Sequence, residues 1–367
     1  MKPLSPWYLI HNNNNLDTPA LAVYPDRVAQ NIRLCLALAG GTDHLRPHVK
    51  THKSAALTRL LIASGISSFK CATVAEAEML GGCSAGDVLL AYQPTAAKLE
   101  RLLALMLKYP GTSFSCLVDN PATLELLSAA AVRKKLTLPV YIDLNIGMNR
   151  TGIAPGKKAR ELYAQALATP QIELRGLHAY DGHIHASNPN ERELACTAAF
   201  APVEAWRNEL KTAGLPYRLI AGGTPTFVFH ARREHTECSP GTFVYWDQNY
   251  LNSLAEQPFL PAALVLTRVI SVPAPGLVCV DLGHKAIASE NNLLQRVTFL
   301  NCPGLTPLSH SEEHLVLSVP AGTQLEVGDL LYGLPFHICP TIAFYDQTLT
   351  IRDHQLSGYW EVTARKR

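Results

Sequence analysis

The sequence predicts a (β/α)8 barrel, a TIM-type α/β fold, followed by a mainly antiparallel β domain. Two observations carry this expectation. Between Thr18 and Gly223, short apolar runs alternate with longer amphipathic ones about eight times, the pattern of βαβ units around a parallel sheet. After Pro240 that alternation stops, and apolar segments separated by turn residues take over, as in antiparallel sheets. Eight units in this length fit a closed barrel better than an open doubly wound sheet, the main alternative. The expected boundaries are 18–240 for the barrel and 241–367, with 1–17, for the β-rich domain.

The expected strands of the first part are 20–24, 45–49, 68–72, 87–92, 114–118, 139–144, 172–180 and 217–222. Helices are expected between most of them. Over 26–38, Val28, Ile32, Cys35 and Leu36 fall on one face, the spacing of an amphipathic helix. Segments 96–107, 122–132 and 191–213 behave similarly. In the second part, 262–272, 277–283, 314–319 and 349–362 read as strands. The piece before Thr18 is expected to add a strand there, with the asparagines 12–15 in a loop.

Composition narrows the function. Apolar residues make up 47% and charged residues 17%, enough for a large core and too apolar for general disorder. Thirty-two basic against 30 acidic residues give a net charge of +2. Such balance leaves no electrostatic footprint for nucleic acid or an anionic membrane. The nine cysteines include no CxxC pair, so buried free thiols in a reducing compartment are expected. There is no secretory apolar region and no run of about 18 apolar residues. The expected location is cytoplasmic and the expected partner a small molecule.

The densest chemistry is Arg46-Pro47-His48-Val49-Lys50-Thr51-His52-Lys53, at the expected C-terminal end of the second strand, where barrels carry their active sites. Burial there would favour a neutral amine, the form that attacks a carbonyl. A solvated basic face is the plain alternative. Lys50 lies two residues from His48, so on a strand both side chains face the barrel mouth. Ala221-Gly222-Gly223-Thr224-Pro225-Thr226 follows the eighth expected strand. Glycines let backbone amides approach a phosphate, a threonine hydroxyl adds a donor, and the last barrel loops are the usual phosphate site; an ordinary turn is the alternative. His337 and Cys339, two apart on an expected strand, would point to one side, and imidazole with thiolate suits zinc. A buried cysteine beside a histidine is the commoner meaning of such a pair. No G-x-S-x-G elbow, Walker A loop or H-E-x-x-H motif occurs.

These motifs together resemble the fold-type III pyridoxal-phosphate (PLP) family that contains D-threonine aldolase and the metal-dependent D-serine dehydratase, whose barrel is akin to that of alanine racemase. RPHVKTHK resembles its PLP-lysine motif, which implies that Lys50 rather than Lys53 forms the Schiff base. AGGTPT resembles its phosphate loop, implying Gly222, Gly223 and Thr224 as cofactor ligands. Asp143 to Gly152 resembles its D-x-G-x-x-R-x-G segment and implies that Arg150 lies near the ring; Asn145 stands where that pattern has its aspartate. Leu177 to His185 resembles its Y-D-G-H segment, implying Tyr180 and His183 nearest the ring, while His178 and His185 are read as structural. His337 and Cys339 match its metal pair, with zinc the preferred ion and manganese an alternative. Further matches are Cys238–Thr242 with Tyr245 and Asp247, Asp281–Ala286, and Ser311–His314, so the resemblance runs from about residue 18 to about 345. It implies a homodimer acting on D-3-hydroxy amino acids. Cleavage to glycine and an aldehyde leads narrowly over dehydration, although the dehydratases typically carry His-x-Cys and the aldolases His-x-Asp. Racemisation and a non-catalytic PLP carrier stay open.

Overall fold

A computed structural model of the chain describes residues 6–366. In chain order its strands are β1 (Ala20–Val23), β2 (Ser68–Cys71), β3 (Asp87–Leu90), β4 (Ser113–Val118), β5 (Leu138–Leu144), β6 (Ile172–Ala179), β7 (Arg218–Ala221) and β8 (Thr236–Cys238). They continue as β9 (Ala263–Ala274), β10 (Leu277–Val280), β11 (Val297–Phe299), β12 (Thr306–His310), β13 (Leu315–Ser318), β14 (Leu330–Pro335), β15 (Gln347–Arg352) and β16 (Gln355–Glu361). The chain forms two compact units. Of the described residues, one comprises Cys35–Lys50, Leu57–Gly241 and 364–366. The other comprises 6–34, Thr51–Ala56 and Thr242–Thr363.

The first unit is built on a parallel sheet in the order β2-β3-β4-β5-β6-β7-β8. Residues 45–48 join its two edges: Leu45 bridges Cys238 and His48 bridges Lys70, both parallel. Arg46 N donates to Cys238 O at 2.7 Å, and Pro47 O accepts from Lys70 N at 2.9 Å. Pro47 has no N–H to give, which keeps this first stave short and irregular. It makes the barrel eightfold and changes the expected count. Lys50 follows the first stave, not the second, and the glycine loop follows the seventh, not the eighth. The eighth is β8, too short and polar to stand out in the sequence.

The expected helices are present as Pro25–Ala39, Ala96–Lys108, Pro121–Lys134 and Pro189–Thr212. Asn120 and Asn188 cap the last two by accepting backbone N–H groups, a favourable start for a helix. Among the described residues, no helix is long and apolar enough to cross a membrane.

The barrel interior is layered. Arg46, wholly buried, donates to Glu237 Oε2 (2.8 Å) and Asp87 Oδ1 (2.6 Å). Leu89, Leu117, Tyr141 and Ile220 form an apolar cluster. Toward the C-terminal ends of the staves lie Lys70, Asp143 and His178, all buried.

The second unit holds a mostly antiparallel sheet, β12-β13-β10-β9-β1-β15-β16, with β14 also on β9 and β11 on β14. Its core includes Ala22, Leu264, Leu266, Tyr332, Leu334, Leu349 and Ile351. β1, expected as the first barrel strand, belongs here: it pairs antiparallel with β9 and parallel with β15. An ALAV run is apolar on both faces, so its pattern suits either sheet. The extra strand expected before Thr18 is absent among the described residues of that stretch, where Asn13–Asn15 form a 3-10 turn.

Candidate active site

Lys50 sits in a single 3-10 turn, Val49–Thr51, at the end of the first stave. Its backbone N–H donates to His48 Nδ1 at 3.3 Å. Both side chains line a cavity of about 250 Å3 with Lys70, Ala72, Ala91, Tyr92, Arg150, Thr151, His178 and Tyr180. The structure thus brings together four residues expected from sequence: Lys50, His48, Arg150 and Tyr180. Arg150 lies over the Tyr180 ring, 5.0 Å from its centre. His183 does not line this cavity. Its Nδ1 is buried without a hydrogen-bond partner, and its ring lies against Gly147, where an added Cβ would stand 2.8 Å from Nε2. Asn145 organises that loop by accepting the N–H groups of Gly147 and Asn149, both at 3.1 Å. An aspartate would accept both of these bonds as well; only Asn145 Nδ2, donating to Asn149 Oδ1 at 3.0 Å, makes use of the amide.

The glycine loop leaves β7 beside Tyr180. A Cβ on Gly223 would lie 3.4 Å from the Tyr180 ring, and one on Gly222, at φ +76, would lie 2.9 Å from His230. Gly222 is thus a place where the backbone favours glycine, while the Gly223 contact is an ordinary van der Waals one. Thr224 Oγ1 accepts from Gly241 N at 3.2 Å. Ser239 donates its N–H to Gly222 O at 3.0 Å, yet its buried hydroxyl has no partner. An orphaned hydroxyl beside a side-chain-free loop fits an anionic group held there. The loop's neighbour Asp181 is anchored by His230 Nε2 at 2.8 Å. Thr226 and His230 hold that buried carboxyl below its ordinary range against the upward push of burial.

Two residues that sequence reasoning missed lie deeper. Lys70 Nζ is 2.7 Å from His178 Nε2, and His178 Nδ1 is 2.6 Å from Asp143 Oδ1. Asp143 and His178 are register partners on adjacent staves, whereas β2 and β6 are not neighbours. The lysine therefore reaches the histidine across the barrel interior. Burial drives Lys70 down to about 7, partly opposed by Asp143 and assisted by the nearby cations Lys50 and Arg150. Burial, with Lys70 beside it, also holds His178 below the ordinary histidine range. Burial pushes Asp143 up, but His178, Thr151 and Lys70 prevail and keep it low. His178, read from sequence as structural, thus lines the cavity. The available signal was a lysine inside the otherwise apolar strand Ser68–Cys71.

His337 and Cys339 belong to the other unit. They do not lie on a strand as expected: His337 is the N-cap of the short helix Ile338–Ile342. Asp247 Oδ2 accepts from Ile338 N at 3.1 Å, and Thr341 Oγ1 donates to His337 O at 2.8 Å. These bonds wind the turn, and Pro340 is tolerated in a first helical turn. The two side chains still meet. Burial lowers the imidazole, but Cys339, Glu290 and Asp247 outweigh it and raise it to about 9. Thr51 Oγ1 lies 3.2 Å from Cys339 Sγ, and His337 Nδ1 lies 2.5 Å from Glu290 Oε1. An imidazole and a thiol side by side, with a carboxylate at the imidazole Nδ1, fit a borderline-soft divalent cation.

Comparison with known proteins agrees with this architecture. Residues 23–249 match the model of the alanine racemase N-terminal domain, and residues 262–351 that of a putative serine dehydratase domain. A D-threonine aldolase of Arthrobacter sp. is 28% identical, covering 95% of this chain and 93% of that protein. A 3-hydroxy-D-aspartate aldolase of Paracoccus denitrificans (strain Pd 1222) is 28% identical, covering 96% and 93%. The crystal structure of D-threonine aldolase from Filomicrobium marinum superposes with a TM-score of 0.89 at 28% identity, covering 96% of each chain. The chain belongs to the fold-type III family of D-threonine aldolases and D-serine dehydratases, with an alanine racemase-type barrel. It is an enzyme of the lyase class.

Proposed function

We propose that this protein is a PLP- and divalent-metal-dependent lyase that cleaves D-3-hydroxy amino acids to glycine and an aldehyde. The observation that carries the reading is the cavity at the barrel mouth. It presents the Lys50 amine together with Arg150 and Tyr180, in a chain similar over nearly its whole length to a D-threonine aldolase. PLP would be held by Lys50, by the Gly222-Gly223-Thr224 loop and by Ser239, with Arg150 and Tyr180 at the ring; bound there, it supplies an electron sink for charge at the substrate α-carbon. His337 and Cys339 would hold the metal, zinc by preference because thiolate is soft and manganese as the alternative, and it would act as a Lewis acid at a substrate oxygen. This chain's residues do the rest. Lys50 presents the amine, His48 accepts its backbone N–H and keeps the turn tight, and Tyr180 with Arg150 forms one wall.

A second reading, dehydration of D-serine to pyruvate and ammonia, is favoured by the cysteine at 339 and by the match of residues 262–351 to a putative serine dehydratase domain. Purified protein with PLP and zinc or manganese, incubated separately with D-threonine and D-serine, decides between them. Glycine plus acetaldehyde supports the first reading, pyruvate plus ammonia the second, and formation of the L-enantiomer contradicts both. A chelator is expected to remove activity while leaving the yellow band of the lysine-linked cofactor. The assembly we propose is a two-fold homodimer; light scattering that found a fully active monomer would contradict it.

A further inference from the structure

Lys70, His178 and Asp143 form a hydrogen-bonded chain that opens on the same cavity as Lys50. From its geometry we infer that Lys70 is a second proton-transfer residue of this site, acting beside Lys50 at the substrate carbon that bears the nitrogen. This rests on the lyase reading above.

The polarity of the chain follows from its far end. An ionised Asp143 can only accept, so His178 Nδ1–H donates to it. The neutral ring then has a lone pair on Nε2, and Lys70 Nζ donates into it. One N–H of the amine is thereby aimed at the histidine, and the rest of the nitrogen faces the cavity that Lys70 lines. The Lys–His–Asp order is the triad arrangement in which a reactive group is oriented by a base that is itself oriented by a carboxylate.

The charged groups acting on Lys70 come from several elements. Asp143 and Asp181 stabilise its cation, while Lys50 and Arg150 oppose it. With burial the largest influence, the amine falls to about 7, where a general base works near neutrality. The step needs no further reactant. The Lys70 lone pair takes a proton from the carbon, the C–H electron pair stays on the substrate, and the ammonium returns the proton in the reverse direction. Dehydration requires its removal from that carbon; cleavage requires its delivery there once the carbon–carbon bond has broken.

The test is α-proton exchange of glycine in D2O, followed by NMR across a pH series with the PLP- and zinc-loaded enzyme. Glycine has no β-hydroxyl, so neither cleavage nor elimination competes. Exchange is expected to rise through an ionisation near neutrality. Lys70→Met should slow it about 100-fold or more while keeping the yellow band, and added alkylamines should restore exchange to Lys70→Ala in order of basicity. Asp143→Asn, which keeps the amine but removes a supporting charge, should move the neutral limb to lower pH. Wild-type exchange in Lys70→Met, or an unmoved limb in Asp143→Asn where Lys70→Met fails to fold, overturns the inference. Absence of the yellow band in the loaded wild-type protein overturns the lyase reading itself, and this one with it.

Discussion

Two cations are buried inside the same barrel and are treated in opposite ways. At one level, Arg46 is fully enclosed and answered by two carboxylates, Glu237 and Asp87. Burial acts against its charge, yet those partners raise its affinity for the proton. Toward the stave ends, Lys70 is 4% exposed, but its direct partner is an imidazole and its carboxylate stands one residue further away. Burial, only partly offset by Asp143 and Asp181, brings its amine down to about 7. The difference shows that partner chemistry decides whether a buried cation is a structural strut or a titrating group. A guanidinium between carboxylates is locked in its charged form, whereas an amine on a neutral histidine can exchange its proton in the physiological range.

The comparison can be broken or sharpened by substitution. Arg46→Leu takes the buried partner from Asp87 and Glu237, leaving them Arg175 at 3.1 Å and Arg218 at 3.7 Å, and should cost about 3 kcal/mol of stability, the low end for a broken buried pair, read as a lower denaturant midpoint at unchanged m. Lys70→Met should act in the other direction. The folded value of about 7 lies below the unfolded lysine value of about 10.4, so between them the unfolded chain binds more protons and stability rises with pH. The Met variant should therefore exceed wild type at pH 6 by at most about 4–5 kcal/mol, less whatever the lost hydrogen bond to His178 contributed, with the gain fading toward about pH 10. A wild-type stability curve flat across that window would mean that Lys70 is not titrating there. The smallest expected effect is the most discriminating. His178→Glu gives Lys70 a carboxylate like those beside Arg46, and the neutral limb of glycine exchange should then move up by about 1–2 pH units.

Much of the frame was legible in the sequence because it rests on local periodicity. The helices at 25–39, 96–108, 121–134 and 189–212 appeared within a few residues of expectation, and so did most staves. The exceptions have physical reasons. ALAV is apolar on both faces, so β1 could be a barrel stave or a strand of the antiparallel sheet, and only its pairing with β9 and β15 decides. The stave at 45–48 is broken by Pro47, and β8 is three residues long, which displaced the count by one. In the site, Lys50, His48, Tyr180 and Arg150 were visible because they lie within contiguous motifs. Lys70 and His178 were not, because they are 108 residues apart and no spacing rule links non-adjacent staves. His183, which the resemblance puts nearest the ring, lies against Gly147.

The central claim is that Lys50, and neither the neighbouring Lys53 nor the low-pKa Lys70, carries the cofactor. Borohydride reduction of the PLP-loaded protein, followed by peptide mapping, tests it most directly. The expected result is a single reduced pyridoxyl adduct on Lys50, which disappears together with the yellow band in Lys50→Ala and persists in Lys53→Ala. An adduct on Lys53 or Lys70, or no adduct on any lysine, would contradict the account.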